Sequence, residues 1–346
     1  MLTPMRQRPM TLVTGASGVL GSELIQHLQP QSLILGRHRA AMPDKNVADI
    51  VRIDITKPNL NLDERTYAHL AETVEHVVHC AAVTDIGVVY DDIETTNVEG
   101  ARHIIDFAKR ANASLFYIST AFCAKREGAT HETNAAYVTS KRKAETLVRE
   151  SNIDWTVIRP SIISGHSATG AISRFQGFHL FFASMLNGRL PFIPLPESAL
   201  CDFIPVDYAA KAIATLMQDP TYGRTYWLTA GQSALRVKDM IACGQPFAME
   251  RGQDLHDLNL ADPRTIKDHH LPALKRRLPR GLYERLDTLV ELASVMGRHE
   301  AFPSDIDALS GTDTPLTASV LRQTLRANIR YWGEAHNRPF QTAAVA

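Results

Sequence analysis

The sequence predicts an α/β protein built on a doubly wound parallel sheet, with a smaller, mainly helical C-terminal part. Three observations carry this. Apolar runs alternate with helical patterns through the first half. Two of those runs, VEHVVHC and SLFYIS, are almost continuously apolar, as strands covered on both faces must be. A glycine-rich turn joins the first run to the first helical pattern. In order, Met10–Thr14 reads as a strand, Gly18–Leu28 as a helix, Ser32–Leu35 as the second strand and Asp49–Ile53 as the third. Glu75–Cys80 is the fourth, followed by a helix over Thr96–Arg110, a strand over Ser114–Ile118, a helix over Ala135–Glu150 and a strand over Trp155–Ile158.

Beyond Pro160 the alternation fades and glycine and proline increase, as in GHSATG at Gly165–Gly170, and the substrate-binding part is expected to begin there. The expected division is residues 8–165 and 166–346, with about 200–232 returning to the sheet through CDFIPVDYAAKAIATLM and RTYWLT. Ala242–Pro263 reads as a polar loop or lid, and helices are expected over Leu282–Met296 and Ala318–Trp332.

The 37 Lys and Arg balance the 37 Asp and Glu, so no global charge points to nucleic acid or an anionic membrane. Cys80, Cys123, Cys201 and Cys243 lie far apart without a CxxC pair, which argues against a zinc site or a disulfide framework and favours a reducing, cytoplasmic setting. The N-terminus lacks the apolar core of a signal peptide. Phe175–Leu186, interrupted by Gln176 and His179, falls short of the ~20 residues that cross a bilayer. A soluble protein is expected.

Thr14-Gly15-Ala16-Ser17-Gly18-Val19-Leu20-Gly21 stands where a dinucleotide pyrophosphate meets the first helix of a Rossmann unit. One glycine permits the turn, one clears space for the phosphates and Gly21 lets the helix pack on the strand. The second strand is followed by Arg37-His38-Arg39 instead of the carboxylate that binds NAD ribose hydroxyls. Arg37, assisted by Arg39, would bind a 2′-phosphate, so NADP(H) is expected over NAD(H). Asp54, followed by Ile55, is placed to accept from the adenine amino group, and Ala81 and Ala82 supply small residues beside the cofactor.

Tyr137 and Lys141 are spaced i and i+4, one face of a helix that follows the strand ending Ser119-Thr120. Hydroxyls and ammonium therefore converge at the sheet edge where doubly wound proteins bind ligands. Lys141 and an oxidised nicotinamide are expected to lower the Tyr137 phenol, letting it exchange a proton with a carbonyl or alcohol oxygen that Thr120 also contacts. The same residues allow a core tyrosine beside a surface lysine.

TGASGVLG, HCAA, NVEG, the strand-end Ser119-Thr120 and YVTSK resemble, in that order over residues 10–235, the extended short-chain dehydrogenase/reductase family. The resemblance implies Thr120, Tyr137 and Lys141 as catalytic residues and a mainly structural Asn97. It also implies cofactor contacts from Thr14, Gly15, Ser17, Gly18, Val19, Gly21, Arg37, Asp54, Ile55, Ala81, Ala82, Ser119, Tyr137, Lys141 and Pro160. STAF, RPSIISG and DFIPVDY are most similar to the thioester-reductase and fatty-acyl reductase branch. That branch reduces acyl groups held on coenzyme A or a carrier protein to aldehyde or alcohol. A homodimer face through the helices of Asn97 and Tyr137 is a further implication.

Three alternatives stay open on the residues: a dehydrogenase or reductase of a bulky hydrophobic alcohol or ketone, a nucleotide-sugar epimerase, and a non-catalytic NADP sensor. Sugar dehydratases are disfavoured, since Ala121 and Phe122 after Thr120 do not titrate. Phe175, Phe178, Phe181, Phe182 and Met185 read as core or as an acyl pocket. Lys267, Lys275, Arg276, Arg277, Arg280 and Arg285 read as a solvated face or as a surface for coenzyme A phosphates or an acidic carrier. No metal site is expected; His269-His270 has no completing ligand.

Overall fold

The computed structural model describes residues 10–37, 47–84, 90–124, 136–186, 192–275, 280–309 and 314–336, with Arg277 and Gly311. Seven parallel strands form the main sheet: β1 (Met10–Thr14), β2 (Leu33–Arg37), β3 (Asp49–Arg52), β4 (Val74–His79), β5 (Ser114–Ile118), β6 (Trp155–Pro160) and β11 (Arg224–Leu228). Their order is β11-β6-β5-β4-β1-β2-β3. It reverses between β1 and β4, and this is the switch point outside which a crevice opens at the strands' C-terminal ends.

Successive side chains point to opposite faces of the sheet, so its two coverings can be read along each strand. Val13, Leu35, Val78, Phe116 and Ile158 pack with α1 (Val19–Leu24) and α7 (Val206–Gln218). Leu12, Ile34, Val77, Leu115 and Val157 pack with α2 (Glu64–Thr73), α4 (Gly100–Ala111) and α5 (Ala136–Arg149). Asp63 starts α2 by accepting the Thr66 amide at 2.9 Å. Asn112, at φ +52°, ends α4 in the left-handed conformation that asparagine tolerates. Before α4 the chain runs through α3 (Tyr90–Glu94) and a π-helical turn over Thr95–Glu99.

After β6, β7 (Ile162–Ser164) pairs with β10 (Phe203–Pro205), while β8 (Phe192–Ile193) pairs with β13 (Asn259–Leu260). β9 (Leu200–Cys201) lies between β12 (Leu235–Arg236) and β14 (Gly297–Arg298). The remaining helices are α6 (Gly177–Leu186), α8 (Val237–Met249), α9 (Pro263–Thr265), α10 (Leu271–Lys275), α11 (Arg280–Met296), α12 (Ile306–Leu309) and α13 (Ala318–Ala335).

The expected loop over Ala242–Pro263 is corrected in its first part. α8 occupies it as far as Met249, and buries Met240, Ile241, Cys243, Phe247 and Ala248. Pro246 sits inside that helix, where burial of an apolar face outweighs the missing N–H. The first helix ends at Leu24 rather than Leu28. Among the described residues no helix is long and apolar enough to cross a membrane.

Candidate active site

The first βα turn has the geometry its glycines require. Gly15 is at φ +69°, and a Cβ there would lie 2.6 Å from the Ala81 nitrogen, so only glycine passes beneath the end of β4. A Cβ on Gly21 would run into the Gly15 carbonyl oxygen. The turn closes through the Gly18 amide, which donates to the Gly15 carbonyl at 2.8 Å, and α1 begins at Val19. Ser17 is exposed and Gly18 half-buried on the open side of the turn. Thr14 locks the floor from below. Its Oγ1 accepts from the Ala81 amide at 3.4 Å and shares a hydrogen bond of 2.7 Å with His79 Nδ1, whose imidazole burial pushes down to about 3 and keeps neutral. This cradle of glycines and alanines suits a dinucleotide pyrophosphate, which needs close approach to backbone amides.

Arg37 ends β2 at the same edge of the sheet; its side chain, His38 and Arg39 lie outside the described residues. Asp54 is half-buried beyond β3. Its Oδ1 accepts from the Thr56 amide at 3.0 Å and the Thr56 hydroxyl at 2.7 Å, so one carboxylate oxygen already serves its own turn. Ile55 is buried, and Ala82 is half-buried after β4.

β5 and α5 bring Ser119, Thr120, Tyr137 and Lys141 together. Thr120 is buried and caps the turn Ala121–Cys123, accepting the Phe122 amide at 3.4 Å. Its hydroxyl also faces the Tyr137 phenol and favours the ionised form of that phenol. Lys141, only 3% exposed, donates to the Ile118 carbonyl at 2.7 Å and sits 4.7 Å from the centroid of the Tyr117 ring. Burial lowers it to about 8, although Cys123, Glu145 and Cys80 favour its charge. The expectation that Lys141 depresses the phenol is not met in this arrangement. Burial and Cys123 raise Tyr137 above its ordinary value, and only the Thr120 hydroxyl opposes them. Tyr137 is therefore a protonated acid at neutral pH.

Asn97 is buried behind this set. Its Oδ1 accepts the Val83 amide at 2.8 Å, and its Nδ2 donates to the Val83 carbonyl and to Ser140 Oγ, each at 3.0 Å. Ser140 in turn donates to the Tyr137 carbonyl at 2.8 Å, so Asn97 braces the first turn of α5. Pro160 closes β6 and is buried.

The sequence reading passed over Glu145, one turn beyond Lys141 on α5. It accepts the Ser119 hydroxyl at 2.5 Å and forms a two-point pair with Arg159 at 2.9 and 2.6 Å. The available signal was its place in the series 137, 141, 145 and 149, between the buried Ala144 and Val148.

Phe178 and Phe182 are buried and line an apolar cavity with Ile193, Leu195, Cys201 and Met240. Its volume of about 30 Å³ is room for a few water molecules, so among the described residues these aromatics are packed as core. The side chains of Phe181, Met185 and Arg285, and all of Arg276, lie outside the described residues. Arg264, Lys267, Lys275 and Arg277 are exposed, and the exposed Arg280 pairs with Glu284 at 2.7 Å.

Comparison with known proteins agrees with this geometry. The NAD-binding family model described as male sterility protein matches residues 38–213, about half of the chain. Fusarin C synthetase of Gibberella fujikuroi is 26% identical over 255 residues, 66% of this chain but only 6% of that protein. The chain thus corresponds to a small part of such a relative.

Among solved structures, the terminal R domain of the myxalamid PKS-NRPS pathway superposes with a TM-score of 0.70 at 22% identity, covering 93% of this chain and 91% of that one. The PhqB reductase domain of Penicillium fellutanum gives 0.65 at 18%, covering 96% of each. WbmH of Bordetella bronchiseptica, in complex with NAD⁺, gives 0.64 at 17%, covering 94% and 99%. At these identities the structures speak for the fold. The match over residues 38–213, half of the chain, shows that the chain belongs to the male sterility protein family of extended short-chain dehydrogenases/reductases, which are NAD(P)-dependent oxidoreductases, and the glycine turn that precedes the matched residues agrees with this.

Proposed function

We propose that this chain is an NADP(H)-dependent reductase of acyl thioesters, acting on an acyl group carried by a carrier protein or coenzyme A. The observation that carries the reading is the pairing of the Thr120 and Tyr137 hydroxyls at the end of β5, with the phenol held in its protonated form. A reductase must give a proton, or a strong hydrogen bond, to an oxygen gaining negative charge, and a protonated phenol does this directly. The bound nicotinamide would supply the hydride. Thr14, Gly15, Ser17, Gly18, Val19 and Gly21 would hold its dinucleotide with Asp54, Ile55, Ala81, Ala82, Ser119 and Pro160. Arg37 at the end of β2 favours NADP(H) over NAD(H), since a guanidinium there attracts a 2′-phosphate.

Thr120 and Tyr137 would hydrogen-bond the thioester carbonyl oxygen. As hydride forms a C–H bond at the carbonyl carbon, Tyr137 transfers its proton to that oxygen. The resulting tetrahedral adduct then loses its C–S bond. The carbonyl re-forms as an aldehyde, the sulfur leaves as a thiol carrying the oxygen's proton, and the Tyr137 phenolate takes up one proton from solvent to complete the cycle. Lys141 keeps the Tyr137 turn anchored through the Ile118 carbonyl and would hold the nicotinamide ribose; its charge is lost as pH rises through about 8. The much longer synthetase relative and the R-domain likeness support a carrier-bound thioester over a free ketone.

The test is to incubate the purified chain with NADPH or NADH and a panel of acyl-coenzyme A esters, acyl carrier-protein thioesters and hydrophobic ketones. Cofactor absorbance and free thiol are followed together. Expected is NADPH oxidation with an equal amount of thiol released, and slower oxidation of NADH. Ketone-dependent oxidation without thiol release would move the protein to the alcohol/ketone dehydrogenase reading.

A further inference from the structure

We propose that Glu145 is a positioning residue for the reaction at Thr120 and Tyr137, setting the register of α5 against the ends of β5 and β6. The inference rests on the reductase reading of that site. Three successive turns of α5 each meet one residue at the end of β5: Tyr137 faces the Thr120 hydroxyl, Lys141 donates to the Ile118 carbonyl, and Glu145 accepts from the Ser119 hydroxyl. The third tie is itself fixed from the side. Arg159 grips both oxygens of Glu145, and Arg149 adds a bond of 3.2 Å to Oε2. The Arg159 guanidinium also lies 4.7 Å from the Trp227 ring centroid. Trp227 stacks on Phe302, and Phe302 meets Phe122 edge-on, two residues after Thr120. One carboxylate therefore joins the helix bearing the proton donor to both strands that end beneath it.

Energetics favour a positioning role over plain stabilisation. Glu145 is 4% exposed. Desolvating such a pair offsets most of its attraction, and well-packed apolar side chains of similar size stabilise at least as well. What an apolar pair lacks is direction: it fixes neither the Ser119 hydroxyl nor the axial position of α5. The carboxylate is held ionised, because the Arg159 hydrogen bonds and charge outweigh the effect of burial.

The experiment compares wild type with two double variants, Glu145→Leu/Arg159→Met and Glu145→Gln/Arg159→Gln. Both remove the two buried charges together, and Arg149, which loses Glu145 as well, keeps its bond to Thr225 and its access to solvent. The second keeps an oxygen that can accept from Ser119. Thermal midpoint, NADPH Kd, kcat, KM and the pH profile of kcat are measured on whichever carbonyl substrate wild type reduces. Expected of the Leu/Met variant is a thermal midpoint at or above wild type and NADPH Kd within threefold. Its kcat should fall about 10–100-fold with KM little changed, because misplacement on the scale of an ångström costs that much.

The alkaline limb should also move to lower pH. The charged and titratable groups around Lys141 are His79 at the end of β4 and Cys80 just after it, Tyr117 from β5, Cys123 from the turn after β5, and Tyr137 and Glu145 one turn to either side on α5. Removing Glu145 takes away one that favours the ammonium. The Gln/Gln variant should recover most of the lost kcat but keep the shifted limb. Full activity and an unchanged profile in the Leu/Met variant would overturn the proposal. So would loss of folding in both variants, or failure of the Gln pair to recover kcat, since either reduces Glu145 to a structural role. A wild type that consumes no cofactor with any carbonyl instead defeats the reductase reading, and does so without reference to these variants.

Discussion

Replacing Tyr137 by Phe is expected to lower kcat for thioester reduction by about 10²–10⁴-fold, the usual span for losing a positioned acid. NADPH binding should change less than threefold. The hydroxyl is the only group removed, and the ring packs as before against the core beside α5. The structure gives the effect a direction. Burial holds the phenol protonated, so it serves as an acid in reduction and needs further activation to act as a base in alcohol oxidation. The loss should therefore show in the hydride-transfer step of single-turnover kinetics. Loss confined to cofactor affinity would place Tyr137 outside the chemistry.

Gly21→Ala is expected to disrupt the cofactor cradle. The added methyl would meet the Gly15 carbonyl oxygen and approach Ala16 Cα to 2.9 Å, both backbone atoms that cannot rotate away. Relief requires α1 to lift from the turn. An overpacking cost of about 1–3 kcal/mol follows, together with at least a tenfold rise in NADPH Kd as the turn's amides lose their placement. Gly281→Ala, in α11 where an added methyl meets nothing within 4 Å, is the control. It should leave Kd unchanged and the thermal midpoint equal or slightly higher, since alanine is the better helix former. Fluorescence titration with NADPH and thermal unfolding read both quantities.

The sheet was legible in the sequence because its strands are buried on both faces. VEHVVHC and SLFYIS became β4 and β5 within a residue of their expected limits. The glycine turn was legible because its glycines answer backbone requirements that do not depend on distant residues. The i, i+4 spacing placed Tyr137 and Lys141 on one helix, but could not say where the ammonium would point. That direction is set by the Ile118 carbonyl and the Tyr117 ring, two features of the folded edge. The lid expectation failed at α8 because the polar residues of Ala242–Pro263 were weighed while the stripe that buries Met240, Ile241, Cys243, Phe247 and Ala248 was not. Glu145 escaped notice for a related reason. A charged residue on a helix reads as solvent-facing until its partners, Ser119 and Arg159 on two different strand ends, are brought beside it.

The measurement closest to the central claim follows the hydride itself, using NADPH doubly deuterated at the nicotinamide C4 with a carrier-bound acyl thioester under single-turnover conditions. Mass spectrometry of the trapped product should find one deuterium on the aldehyde carbon, with one thiol released for each cofactor oxidised. Cofactor oxidation that leaves the thioester intact, or an aldehyde carrying no deuterium, would contradict the account.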